Sequence, residues 1–341
     1  MNSIISLLGD ISSSNGPGNA NKEIKKSLEV YYDVKCSVKE SKPMRILEMF
    51  KLVVYCDVLV ICSASRMNFL AIRIAKLLKK KTVYIMHGYS SYERLIENSC
   101  IKDDQLGKIK KYENYVFSTA DKVVCVSKRF MDFMIEEQPK YTKKFEYIYN
   151  AIDVNSRIRK EEVERLEKKI ISVGGGMKQK NNAIIAEVID SMDDNIEYIV
   201  VGKKMSEGEK IRRCKCVTWI DNLPHEELIG LMEECNLYIQ NSTFETFGLC
   251  VIEALYAGCS ILASKNIGCM DLFNSLSDDD VILDVYDREE IQTKISKLLC
   301  ESNNEKLVSS FDKTQISRAA QAKRLRSIID SLIYNVSEGD L

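Results

Sequence analysis

Two acids and a glycine in one short segment carry the clearest chemistry. In Asn241 to Gly258, NSTFETFGLCVIEALYAG, Glu245 and Glu253 are separated by seven residues and flank the turn formed by Thr246, Phe247, Gly248 and Leu249. The apolar run LYIQ ahead of it reads as a strand, and a helical pattern starts near Leu249 and ends about Gly258. The backbone N–H groups of Phe247, Gly248 and Leu249 then lie at a helix N-terminus, where unpaired donors and the macrodipole favour a phosphate or diphosphate. A side chain at 248 would obstruct that close approach. Glu245 precedes the helix and Glu253 lies about 6 Å along its axis at ~1.5 Å per residue, so the acids bracket the anion seat. Carboxylates bind phosphate poorly but accept well from vicinal hydroxyls, so a diphosphate between two polyols, a nucleotide sugar, suits them. The competing reading is a helix whose first acid complements the dipole and whose second is incidental.

Three further segments place reactive residue types at strand ends. ISVGGGMKQKNN is a strand, a glycine turn and two lysines, Lys178 and Lys180; a solvated flexible turn would look the same. GDISSSNGPGNANKEIKKSLE leads from the strand Ile4 to Leu8 through a glycine-rich loop into a helix, with Gly16 and Gly18 as candidates for phosphate approach and Asn19 as helix cap. TVYIMHGYSSYE puts His87, one of two histidines, at the carboxyl end of an apolar strand, where an active-site residue of an α/β domain belongs. His225, ahead of Glu226 and Glu227, reads as the start of a helix with no catalytic expectation.

Taken together, Ser242, Glu245, Phe247, Gly248, Leu249, Ile252, Glu253, Ala254, Leu255 and Gly258 resemble the E-x7-E signature of retaining glycosyltransferases of family 4, which have the GT-B fold. The resemblance implies that Glu245 contacts hydroxyls of the transferred sugar where the chemistry occurs and that Glu253 holds the ribose. The backbone of Thr246 to Leu249 would bind sugar and phosphate. Lys180 and Asn181 are similar to the family's Lys-Asn, with Lys180 neutralising the leaving diphosphate, while Gly175 stands where the family has arginine and Lys178 is the substitute cation. His87 matches the family's residue beside the reacting sugar, and Gly16 and Gly18 its first-strand loop. ADKVVCVSKRF, ending its strand at Ser127, YNAIDV, and the stretch with Trp219 are similar to further family segments, the last of them near the nucleotide base.

These residues need a scaffold of alternating strands and helices, and the sequence supplies one. Apolar runs at Val58 to Cys62, Thr82 to Met86 and Lys122 to Val126 alternate with helical patterns, and the alternation resumes at Ile170 to Val173, Glu197 to Val201, Leu237 to Gln240 and Ser260 to Ala263. The expected fold is therefore α/β, with two Rossmann-like doubly wound domains facing across a cleft. The boundaries expected are 1–153 for an acceptor-binding domain, 154–169 for a charged linker, 170–316 for the nucleotide-sugar domain, and 317–341 for a final helix that packs back across both.

With 341 residues, 45% hydrophobic and 29% charged, the chain is too long for one core and too apolar for disorder. Its net charge of −1 hides a split: residues 1–153 carry 25 Lys and Arg against 18 Asp and Glu, and the rest 24 against 32. The basic runs Lys22/Lys25/Lys26, Lys79 to Lys81 and Lys108/Lys110/Lys111 are either solvated faces or contacts to anionic headgroups at an inner membrane surface. No nucleic-acid motif accompanies them. Twelve cysteines without ligand spacing read as buried thiols of a reduced, cytoplasmic compartment, and neither a signal peptide nor a membrane span is expected.

The resemblance thus implies a retaining transferase that moves a sugar from a nucleotide-diphosphate donor, a UDP-sugar by default, to a glycan or lipid-linked acceptor in surface polysaccharide synthesis. No D-x-D metal motif is evident, so no cofactor or divalent cation is expected. Two alternatives stay open: a degenerate, non-catalytic subunit, suggested by Gly175, and a sugar-nucleotide epimerase on the same fold.

Overall fold

The computed structural model describes residues 3–13, 16–37, 42–63, 65–98, 103–153, 168–192 and 195–334. Two units divide the chain, each built on a six-stranded sheet. The strands of the first are β1 (Ile4–Leu8), β2 (Asp33–Cys36), β3 (Val58–Ile61), β4 (Lys81–Met86), β5 (Lys122–Cys125) and β6 (Phe145–Tyr147). Their order is β2-β1-β3-β4-β5-β6, and every pair is parallel. Between them run α1 (Gly16–Leu28), α2 (Lys42–Tyr55), α3 (Arg66–Leu77), α4 (Ser90–Glu97), α5 (Asp103–Thr119) and α6 (Lys128–Glu137). The central strand β3, VLVI, is buried at all four residues, as a parallel strand covered on both faces requires. Ser127 closes β5 and caps α6, accepting from Phe130 N at 3.0 Å.

The second sheet contains β7 (Lys168–Val173), β8 (Ile196–Val201), β9 (Val217–Ile220), β10 (Leu237–Gln240), β11 (Ser260–Ser264) and β12 (Val281–Ile282). Their order, β12-β11-β10-β7-β8-β9, is again wholly parallel. Its helices are α7 (Asn182–Asp190), α8 (Gly208–Ile211), α9 (His225–Glu234), α10 (Leu249–Tyr256), α11 (Arg288–Cys300) and α12 (Asn304–Ser310). Ile170, Tyr198, Leu237, Ile239 and Leu262 centre one core with the inner faces of α7 and α11. Each such aliphatic side chain contributes about 1.5–3 kcal/mol by leaving water. The strand order reverses between β7 and β10, so the loops after these two strands open the crevice where a doubly wound sheet takes its ligand.

Three expected boundaries move. Residues 154–167, most of the expected linker, lie outside the described residues, and Lys168 and Lys169 already belong to β7. Tyr92–Cys100 groups with the second unit. The final helix, α13 (Arg318–Tyr334), belongs to the first unit and packs on α1. Ser27 Oγ donates to Gln321 Oε1 at 2.8 Å, Tyr32 OH to Asp330 Oδ1 at 2.7 Å, and Arg318 pairs with Glu23 at 2.9 Å.

The eleven described cysteines are free thiols, but only six are buried: Cys36, Cys214, Cys216 and Cys250 are half-buried, and Cys300, at the end of α11, is exposed. Among the described residues no helix is long and apolar enough to cross a membrane.

Candidate active site

In the second unit the loops after β7 and β10 are stitched together at the strand reversal. Thr243 N donates to Gln179 O at 2.9 Å, and the amides of Asn181 and Asn241 both donate to Val285 O at 2.8 Å. Asn181, which adopts a left-handed φ of 55°, is thus a brace for the lysine beside it. This frame brings Lys180 to Glu245, and the two side chains form an ion pair. Both are shielded, at 15% and 17% exposure, so the pair sits where charge is only weakly screened. Burial works against the charge on Lys180, but the Glu245 carboxylate outweighs it and the pKa is raised. Gln240 Nε2 donates to Glu245 Oε2 at 3.2 Å, and Tyr238 OH holds Gln240 Oε1 at 2.8 Å. Gln240 and Tyr238 escape a reading by residue type because they look like ordinary members of the buried strand β10.

The turn into α10 is held from the other side by main-chain bonds. Gly268 N donates to Glu245 O at 3.0 Å and Cys269 N to Phe247 O at 2.7 Å. Phe247 is 2% exposed and Thr246 is buried, so these residues offer the turn backbone rather than side chains. Gly248 is the N-cap of α10 with φ 95° and no capping side chain. A Cβ there would lie 2.5 Å from Ile267 Cγ2. Glycine is required at 248 by backbone conformation and by Ile267, reasons independent of any ligand.

Glu253, inside α10, is buried, and its Oε1 lies 3.0 Å from His225 Nε2. His225 does open α9, as its sequence context indicates, but it also partners the second acid of the turn. No local signal reveals this, because the two residues are 28 positions apart.

The glycine turn after β7 explains the absent arginine. Gly175 has φ 56°, and a Cβ would meet Lys203 O at 2.3 Å; at Gly176 it would meet Lys204 O at 1.7 Å. The turn packs directly on the backbone after β8, leaving no room for a side chain at 175. Lys178 is exposed, its N–H donating to Glu97 Oε2 at 2.8 Å, and it does not join the Lys180–Glu245 pair. Trp219 lies on the edge strand β9 under the Arg212 guanidinium, 5.0 Å from the ring centre, and its Nε1 donates to Asp221 at 2.9 Å.

In the first unit His87 follows β4 as expected. Its Nε2 lies 2.7 Å from Asn21 Oδ1 on α1, and burial brings its pKa down to about 4, so the ring is neutral at pH 7. Gly16 and Gly18 are not in a loop: α1 begins at Gly16, so both lie in its first turn and Asn19 is no cap. Pro17 accounts for the early start, since its fixed φ and missing N–H suit a first helical turn. A Cβ at Gly16 would meet nothing, so space alone does not demand glycine there.

Residues 154–315 match the family model described as Glycosyl transferases group 1. This stretch is thus similar to a glycosyltransferase group 1 domain. Over 289 residues, 79% of this chain and 74% of the relative, the sequence is 23% identical to the N-acetylgalactosamine-N,N'-diacetylbacillosaminyl-diphospho-undecaprenol 4-alpha-N-acetylgalactosaminyltransferase of Campylobacter jejuni. Among solved structures, sucrose-phosphate synthase from Thermosynechococcus elongatus aligns with a TM-score of 0.73 at 13% identity, over 98% of this chain and all of that one. Anabaena HepE in complex with UDP and glucose aligns with a TM-score of 0.70 at 14% identity, also over 98% and 100%. The matched stretch and the sheet before it therefore share the GT-B architecture of two Rossmann-like sheets.

Proposed function

We propose that the chain is a retaining glycosyltransferase of family 4 that transfers a sugar from a nucleotide-diphosphate donor, a UDP-sugar, to a glycan or lipid-linked acceptor. The observation that carries this is the Lys180–Glu245 pair at the β7/β10 reversal, beside the uncapped N-terminus of α10. Lys180 and the first-turn N–H groups of α10 neutralise the departing diphosphate. Glu245 accepts from hydroxyls of the transferred sugar, and Glu253 from those of the ribose. In transfer the anomeric carbon–phosphate oxygen bond breaks while the acceptor oxygen bonds to that carbon on the same face, and the acceptor proton passes to the departing phosphate. This route gives no step to a metal.

The test is a transfer assay across UDP-, GDP- and ADP-sugars with the product's anomeric configuration read by NMR. An α-linked product from an α-donor supports the reading; inversion refutes it. The same assay separates the rivals, since an epimerase alters the free sugar nucleotide and a degenerate subunit turns over nothing. The Lys180–Glu245 pair and Glu253 argue against decay, and Gly175 is accounted for by backbone packing.

For the acceptor side, the Campylobacter relative is named for a diphospho-undecaprenol substrate, and α2 adds an observation from this chain. Met44, Leu47, Val54 and Tyr55 are exposed on the side of α2 turned away from the buried Met49 and Val53, with Lys51 among them, and Ile46 and Phe50 are exposed at the margin nearer the buried side. That face suits peripheral contact with an anionic membrane surface and supports a reading in which the protein works at the cytoplasmic side of an inner membrane. Sedimentation with phosphatidylglycerol vesicles is expected for the wild type and lost in Leu47→Ser/Phe50→Ser. Equal sedimentation of both proteins removes the assignment.

A further inference from the structure

Among the residues around His87, Asn21 stands out as a polar side chain that sequence reading passed over. It lies on α1, is 2% exposed, and its carboxamide is used at both ends. Nδ2 donates to Asp10 O at 2.9 Å, and Oδ1 faces His87 Nε2 at 2.7 Å. Because a main-chain carbonyl only accepts, the amide nitrogen must face Asp10 and the oxygen must face the imidazole. That oxygen also only accepts, so His87 Nε2 must carry a hydrogen. In the neutral ring this leaves Nδ1 as the one basic nitrogen.

The loop after β1 is built to hold this arrangement. Asp10 Oδ1 accepts from Ser12 N and Ser12 Oγ, both at 2.9 Å, and from Ser13 N at 3.1 Å, which fixes the peptide whose carbonyl receives Asn21. Gly9 leaves the space: a Cβ there would lie 3.1 Å from Asn21 Nδ2 and 2.9 Å from Cys62 Cβ.

We propose that Asn21 is a positioning residue for His87, clamped to the Asp10 carbonyl and holding the imidazole as the Nε2–H tautomer. For its consequence in transfer this rests on the reading of His87 as the group beside the reacting sugar. A neutral ring adds no positive charge beside a carbon that is itself becoming cationic.

The tautomer is directly observable, because the chain has only two histidines. In the 15N-labelled full-length protein, with His225→Gln to assign the signals, His87 is expected at pH 7 with a protonated Nε2 and an unprotonated Nδ1. Asn21→Leu removes the acceptor and should give a mixture of tautomers. Asn21→Asp keeps the acceptor and adds charge, so the tautomer should persist and the titration midpoint should rise by about one pH unit or more. A wild-type His87 protonated on Nδ1 overturns the proposal without any variant, and so does an Asn21→Leu spectrum identical to wild type. The reading of His87 itself is tested separately: full turnover in His87→Ala, with the tautomer as predicted, ends that reading and leaves the positioning role standing.

Discussion

Lys180, from the loop after β7, and Glu245, from the loop after β10, form a shielded ion pair across the point where the second sheet reverses its strand order. Without donor, each satisfies the other. Under the proposed function, a diphosphate arriving at the N-terminus of α10 would compete with Glu245 for Lys180 and free the carboxylate for sugar hydroxyls.

Glu245→Gln should therefore separate binding from turnover. UDP affinity is expected to hold or tighten, because Lys180 loses its internal counter-ion. Turnover should fall by about 10–100-fold, corresponding to roughly 1.5–3 kcal/mol for charge-assisted hydrogen bonds. Calorimetry with UDP and steady-state transfer rates check the two halves; wild-type turnover removes Glu245 from the sugar site.

Gly248→Ala tests the turn as structure. The left-handed φ costs about 1–2 kcal/mol for any residue with a Cβ, and the contact with Ile267 Cγ2 adds to it. A lower urea midpoint is expected. Unchanged stability in the variant would show that the turn relaxes freely.

The pH dependence of stability follows from His87. Its folded pKa of about 4 lies below the ordinary 6.5, so between these values the unfolded chain holds more protons than the folded one. The stabilisation is complete above pH 6.5 and is lost as pH falls toward 4. Urea unfolding across this window should show a steeper loss for wild type than for His87→Gln, and parallel curves would place His87 in a solvated setting.

Chelation addresses how the leaving group is stabilised. With Lys180 and the α10 N-terminus as the neutralising groups, EDTA should leave transfer intact. Restoration of a lost activity by magnesium or manganese would assign that role to a cation instead.

Much of this architecture is legible in the sequence because buried parallel strands are largely apolar runs: β1, β3, β4, β5, β7, β8, β10 and β11 all announce themselves in that way. The edge strands β2, β6, β9 and β12 do not, since they are short and half-polar, as in DVKC and VTWI. At the site, Glu245, Lys180 and the α10 turn are visible because residue type and spacing lie within single loops. The pairings Glu253–His225 and His87–Asn21 are invisible, because folding alone brings those partners together over 28 and 66 positions. The meaning of the glycines is also three-dimensional: Gly175 and Gly248 are set by Lys203 O and Ile267, neither of which is near in sequence. Gly16 and Gly18 read as a loop in the sequence, whereas they lie in the first turn of α1 on either side of Pro17.

The most direct test of the nucleotide-sugar site is calorimetric binding of UDP, GDP and ADP to the purified protein, with Glu253→Ala as the comparison. One nucleotide, UDP, should bind selectively, and the variant should lose about 1.5–3 kcal/mol of that affinity if Glu253, beside His225, is the ribose acceptor proposed. Absence of binding by all three, or equal affinity in wild type and variant, would contradict the donor site placed at α10.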